Sequence, residues 1–158
     1  MLIQAYDMCE DGNYDIALKL YDLILKKNPA NIDALVNKGV TLQNLGKIKH
    51  AIRLYDKALK INPNHLDAIL NKGSSLHTLG NYKDAISYYD KALVIDKKCT
   101  MALAYKGLSL GELGDLHNAL KHFKKALSID TTYDLASISK KITQDILKSI
   151  KEEKTKTQ

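Results

Sequence analysis

No stretch of this 158-residue chain approaches the roughly 20 apolar residues of a membrane-spanning helix, and the N-terminus lacks the basic region and apolar run of a secretion signal. A cytoplasmic location without a membrane partner is expected. Cysteine is scarce: Cys9 and Cys99 form neither a close pair nor a zinc spacing. The simplest reading is two reduced thiols, with a disulfide between distant segments as the alternative. The histidines His50, His65, His77, His117 and His122 are scattered, and the last two stand five apart, off a common helical face. No metal site is expected from them. A phosphate-cradling glycine loop is missing too, since Gly111 and Gly114 bracket a helix end and follow no strand. With no nucleophile beside a base, the sequence predicts a protein that is not an enzyme and carries no cofactor.

Charge is present but not massed. Lysine and arginine number 24 against 18 acidic residues, a formal net charge of +6, and the lysines are spread along outward faces. That pattern favours solubility over a nucleic-acid footprint. Of the nine tyrosines, Tyr21, Tyr55 and Tyr89 recur in one register, as do Tyr14 and Tyr82, so they read as packing residues and not as base-stacking platforms.

What the chain does have is a period. Gly12, Gly46, Gly80 and Gly114 stand 34 residues apart, in phase with Ala17, Ala51, Ala85 and Ala119, then with Tyr21, Tyr55, Tyr89 and Phe123. Leu45, Leu79 and Leu113 precede the last three glycines. Self-similarity at this spacing means stacked helix pairs, each burying its apolar face against its neighbours and without a single central core. With Ile32, Leu66 and Thr100 as first positions, the repeats are 1–31, 32–65, 66–99 and 100–133. A capping helix over 134–150 closes one array spanning 1–150, and 151–158 is expected to be a flexible tail.

Within repeat two, Ala34, Leu35, Leu42 and Leu45 fall at helical spacing before Gly46, and Ile48, Ala51, Ile52, Tyr55, Ala58 and Leu59 after it. Gly46 and its equivalents stop the first helix, where glycine takes the left-handed C-terminal conformation. Asn13, Asn81 and Asp115 follow as N-caps of the second helix. Pro29 and Pro63 end the second helices of repeats one and two, while Lys97 and Thr131 replace proline later, predicting turns less firmly set. Gly39, Gly73 and Gly107 lie inside first helices at a cost of about 1 kcal/mol against alanine, which implies close approach of the paired helix beside Ala51, Ala85 and Ala119.

These residues resemble the tetratricopeptide repeat family: Asn-Lys-Gly at Asn37–Gly39 and Asn71–Gly73, Leu-Gly at the turn, then Ala-Ile and Tyr-Asp-Lys-Ala-Leu at Tyr55–Leu59 and Tyr89–Leu93. Leu35, Ile69 and Leu103 replace the family's usual tryptophan, and Lys38, Lys72 and Lys106 its usual leucine; those lysines are expected to lay their stems on apolar surface and keep the ammonium wet. The resemblance implies an all-α, right-handed solenoid of antiparallel helix pairs whose first helices line a concave groove. Carried over by register, the groove holds Asp33, Val36, Asn37 and Val40, with Gln43 and Asn44, in repeat two. Repeat three supplies Asp67, Leu70, Asn71, Ser74, His77 and Thr78, and repeat four Met101, Tyr105 and Leu108, with Ala104, Gly111 and Glu112. Leu2, Ile3, Tyr6, Cys9 and Glu10 come from the short first repeat.

The function this implies is a non-enzymatic scaffold that binds an extended or helical segment with apolar anchors. A structural self-assembly module and a targeting domain of a larger enzyme are the alternatives. Asn37 and Asn71 form a ladder that either holds a ligand backbone or bonds within its own repeat. Family members that grip a terminal carboxylate do so with lysines, an arginine and asparagines; here the matching positions hold Val36, Asp67, Asn71, Met101 and Tyr105, without the cations. The first helix is apolar nearly all round, with Leu2, Ile3, Ala5, Tyr6, Met8 and Cys9. It is expected to be covered by further repeats upstream or by a second copy, preferentially in a two-fold dimer.

Overall fold

The structure, a computed structural model describing residues 1–156, contains nine helices and no strand among those residues. They are α1 (Leu2–Glu10), α2 (Tyr14–Lys27), α3 (Ile32–Asn44), α4 (Ile48–Ile61), α5 (Leu66–Thr78), α6 (Tyr82–Ile95), α7 (Thr100–Glu112), α8 (Leu116–Ile129) and α9 (Asp134–Lys156). The fold is the all-α array of helix pairs that the period predicts. Two compact units divide at the turn after Gly80. In the first, α1 pairs with α2 and α3 with α4, α2 packs on α3, and α4 on α5. In the second, α7 lies between α6 and α8, and α9 packs on α8 and α7. No helix among the described residues is long and apolar enough to cross a membrane.

The turns show why the period is punctuated by glycine. Gly46 has φ +71°, its N–H bonds to the Gln43 carbonyl at 2.9 Å, and the next N–H, from Lys47, reaches back to Leu42 at 2.8 Å. That pair of bonds satisfies carbonyls a helix end leaves open and needs a left-handed residue. The caps that follow differ from expectation. Only Asp115 accepts a backbone N–H with its side chain, from Asn118 at 3.3 Å; Asn13 and Asn81 occupy the cap position without a side-chain bond. The working caps sit before first helices instead, where Asn31 accepts from Ala34 at 2.8 Å and His65 Nδ1 from Ala68 at 3.3 Å.

The turns lacking proline are as firmly built as those that have it. Asn28, Asn62, Asp96 and Asp130 each accept from the backbone N–H two residues on, at 3.1, 3.0, 2.9 and 2.9 Å. This side-chain turn recurs in all four repeats and fixes the chain where Lys97 and Thr131 replace proline. The C-terminal helix also departs from expectation, since α9 continues past Ile150 to Lys156. Of the segment expected as a flexible tail, 151–156 is helical and 157–158 lies outside the described residues.

The helix-interior glycines are explained by rings. A Cβ on Gly39 would lie 2.5 Å from the Tyr55 ring, and one on Gly107 2.6 Å from the Phe123 ring. The close approach is therefore aromatic on glycine, with Ala51 and Ala119 packed in the same clusters. Tyr55 is fully buried and cannot swing aside. Gly39→Ala should consequently lower stability by roughly 1–3 kcal/mol through overpacking, although alanine is the better helix former by about 1 kcal/mol. Urea unfolding of the variant measures it, and a midpoint equal to or above wild type would contradict the packing account.

Candidate functional site

The first helices of the repeats are held in place by a buried seam and a row of ion pairs. Lys38 on α3 reaches Asp22 on α2 at 2.5 Å, Lys72 on α5 pairs with Asp56 on α4, and Lys106 on α7 reaches Asp90 on α6 at 2.6 Å. The lysine side chains are only 14–19 % exposed, so their stems are covered and the ammonium bonds a carboxylate instead of standing in water. Each pair joins the second helix of one repeat to the first helix of the next. The sequence expectation for these lysines was right about the stem and missed the partner, because a separation of 16 residues corresponds to no single-helix spacing.

The structure sorts the residues expected in the groove into three groups. Val36 and Leu70, expected as apolar anchors, are 4 % and 8 % exposed, and Val36 belongs to the core cluster around Tyr55. They hold the helices together and offer a ligand little surface. Asp33 and Asp67 are exposed in the first turns of α3 and α5, where a carboxylate suits the positive end of the helix dipole. Asn37, Val40, Asn71, Ser74 and His77 are half-buried on those same helices. In the second unit, Tyr105 and Leu108 are half-buried and Met101 is 45 % exposed. Tyr105 stacks on Tyr89 with ring centroids 5.9 Å apart.

The two asparagines have the chemistry to hold a backbone. Their side-chain amides make no hydrogen bond among the described residues, and only the main-chain carbonyl of Asn37 is engaged, by Thr41 Oγ1 at 2.9 Å. Each amide retains donors and an acceptor. Gln43, by contrast, is engaged at both ends: its Oε1 accepts from Tyr55 OH at 3.1 Å and from the buried Ser75 hydroxyl at 2.9 Å, while its Nε2 donates to Ser74 at 3.4 Å. One repeat earlier Cys9 occupies the register of Gln43, Tyr21 that of Tyr55 and Thr41 that of Ser75. There Thr41 Oγ1 approaches Cys9 Sγ at 3.2 Å, and the buried Tyr21 hydroxyl is left without a partner. Burial pushes the Tyr21 phenol up to about 12, with further contributions from Cys9, Tyr6 and Glu10.

Comparison with known proteins agrees with the fold. The sequence model of the family described as anaphase-promoting complex, cyclosome, subunit 3 matches residues 10–92, more than half of the chain, and the tetratricopeptide repeat model matches 102–133. No curated protein matches the sequence. Among solved structures, MamA superposes with a TM-score of 0.80 at 23 % identity, covering 95 % of this chain and 87 % of its own. A thermophilic tetratricopeptide protein of Thermus thermophilus gives 0.76 at 23 % identity, covering 85 % and 75 %. The first tetratricopeptide domain of Spaghetti, bound to an HSP90 peptide, gives 0.70 at 22 %, covering 73 % and 92 %. At these identities the likeness establishes the fold.

The network around Gln43 and its broken counterpart at Cys9 give a paired test. Tyr55→Phe removes a made hydrogen bond and should cost about 1 kcal/mol, whereas Tyr21→Phe removes a buried, unpaired hydroxyl and should be neutral or stabilising. Urea midpoints of the two variants measure the difference; equal losses would show that the two hydroxyls are equivalent.

Proposed function

We propose that this chain, which belongs to the tetratricopeptide repeat family, is a non-enzymatic cytoplasmic scaffold that binds a protein segment along the inner helices of its repeats. The observation that carries the reading is the pair of uncommitted amides at Asn37 and Asn71, 34 residues apart in the same register of α3 and α5, within one compact unit. Gln43, Thr41 and Ser75 on the same helices are, by contrast, engaged inside the protein. Amides spaced in this way suit the main chain of an extended segment, whose N–H and C=O groups recur whatever its side chains are. Val40 beside them supplies apolar contact.

The same register argues about ligand charge. The positions matching those with which family members grip a terminal carboxylate hold Val36, Asp67, Asn71, Met101 and Tyr105, none of them cationic, and the nearby Lys38 and Lys72 are each committed to an aspartate. An acidic peptide such as the HSP90 peptide bound to Spaghetti is therefore expected to bind poorly, and neutral peptides with apolar anchors better. Panning a peptide library and measuring Kd by calorimetry tests this. The double variant Asn37→Ala/Asn71→Ala should weaken selected peptides by tenfold or more, about 1.4 kcal/mol. Unchanged affinity would remove the ladder from the reading, and micromolar binding of the acidic peptide would contradict the ligand class.

Self-association is a second reading with its own observation. On α2, Ile16 and Leu23 are 49 % and 48 % exposed at positions where the later repeats carry His50, Asp84 and Asn118, and Lys57, Lys91 and Lys125. On α1, Ile3 is 78 % exposed. Apolar replacement of positions that are polar and exposed elsewhere favours cover by a second copy, and a closed two-fold pair is the commonest arrangement. Sedimentation equilibrium should show a dimer that Ile3→Glu weakens; a wild type that stays monomeric at high concentration would exclude it.

A further inference from the structure

Helix α9 keeps half of the repeat's pattern and alters the other half in a specific way. Ala136 and Thr143 occupy the registers of Ala34, Ala68 and Ala102 and of Thr41, Ser75 and Ser109, and like them they are buried. These positions seat α9 on the preceding helix pair. The registers that receive a partner second helix are lost: Ser137 replaces Leu35, Ile69 and Leu103, Lys141 replaces the glycine under the aromatic ring, and Gln144 replaces Leu42, Leu76 and Leu110. Thus α9 is built to end the array, and that face is polar, as terminal repeats require.

The groove registers of α9 do not follow this rule. Ile138, Ile142 and Ile146 stand in line with Val36, Val40 and Asn44, and Ile150 continues the row; they are 60, 54, 42 and 38 % exposed. A helix selected only to cap would be polar here as well. Isoleucines four residues apart form a single ridge about 18 Å long, the shape that packs into the groove between side chains of another helix. In the same compact unit α7, which contacts α9, adds Met101 and Leu108 from its own groove registers. At the far end Ile150 borders a cleft lined also by His117, Leu147, Lys148, Lys151 and Lys154.

We propose that the ridge of α9 and the adjoining face of α7 form a docking surface for an amphipathic α-helix of a partner protein, one with an apolar stripe and acidic residues toward the Ile150 end. Size selects a helix over a second copy: the exposed apolar surface is on the order of 400 Å2, about half of the ~800 Å2 per partner that a stable dimer buries. Charge favours an acidic flank, because Lys148, which also stands 3.9 Å from Glu152, Lys151 and Lys154 line the cleft at the end of the ridge and the unit from Asn81 onward carries 14 lysines against 10 acidic residues. The surface continues the groove registers through Met101 and Leu108 and to that extent rests on the groove reading above, but it uses neither Asn37 nor Asn71, so the two are tested by different variants.

The test is a helix-constrained peptide library panned on the full chain with Ile142→Glu as counter-selection, followed by Kd measurement on the enriched peptides. Apolar residues at spacings of three and four with glutamate or aspartate at one end should be enriched. Affinity should fall at least tenfold in Ile142→Glu and in Ile146→Ser, fall severalfold in Lys148→Glu/Lys151→Glu, and hold in Asn37→Ala/Asn71→Ala. All four variants replace exposed or half-buried side chains, and a thermal melt checks that each remains folded. Three results would overturn the proposal: no enrichment over the counter-selected variant, a wild-type dimer that Ile142→Glu dissociates, or binding to phosphatidylserine vesicles that Ile142→Glu abolishes in place of peptide binding.

Discussion

The contact on which the rest of the structure depends is an aromatic ring lying on a glycine of the paired helix. Tyr55 over Gly39 and Phe123 over Gly107 leave no space for even a methyl group. The ring sets how close the two helices of a repeat come, and so where the polar side chains of the first helix stand. Helix propensity opposes this choice at about 1 kcal/mol for each glycine, so packing overrides propensity at each such position. Gln43 follows from the same contact: the ring that sits on Gly39 delivers its hydroxyl to that amide, which then reaches Ser75 on the next first helix. One side chain thereby ties the inside of a repeat to the register of the following one.

Between repeats the order is kept by apolar burial and by the lysine–aspartate pairs. Those pairs are half-open on the carboxylate side, with Asp22, Asp56 and Asp90 44–63 % exposed, so their net contribution to stability is modest, of the order of an exposed ion pair at up to ~1 kcal/mol. Their larger consequence is specificity of register. A slip along the helix would separate each ammonium from its carboxylate while leaving its stem covered, which is unfavourable for a charge already largely removed from water. The row also stops at both ends. Gln4 takes the lysine register in α1, and Lys124 takes the aspartate register in α8, opposite no complementary charge.

Much of this was legible in the sequence, because repetition makes a single-residue signal count four times. The helix pairs and the four left-handed glycines were readable from the period. What was hidden depended on pairs of residues in different helices. Nothing about Lys38 alone names Asp22, and Asn13 in an N-cap register does not reveal that its side chain is idle while Asn31 and His65 cap. The four side-chain turns at Asn28, Asn62, Asp96 and Asp130 were visible as a periodic Asn/Asp, but proline drew attention away from them. Of the groove, the register was readable and the exposure was not: Val36 and Leu70 directly precede Asn37 and Asn71, and a rotation of about 100° per residue is enough to bury one and leave the other half-buried.

Repeats that share a backbone need not share a function, and the position that Gln43 occupies shows how they part. Across the four repeats it is Cys9, Gln43, His77 and Gly111, while the aromatic opposite is Tyr, Tyr, Tyr and Phe. Where the position carries no side chain, at Gly111, the aromatic has no hydroxyl, so no polar group is stranded. Where it is Cys9, the thiol makes one weak contact with Thr41 and leaves Tyr21 unsatisfied. The Tyr89 hydroxyl of the third repeat is likewise buried without a partner, so the first and third repeats tolerate a defect that the second repairs with an amide and the fourth removes altogether. A buried hydroxyl without a partner costs about 1–3 kcal/mol, so local opening is less opposed in the third repeat and in the first, the α1–α2 pair. That helix pair also bears Ile3, Ile16 and Leu23 in the open. In the α1–α2 pair an unsatisfied hydroxyl thus coincides with exposed apolar surface, and binding over that surface would stabilise that pair.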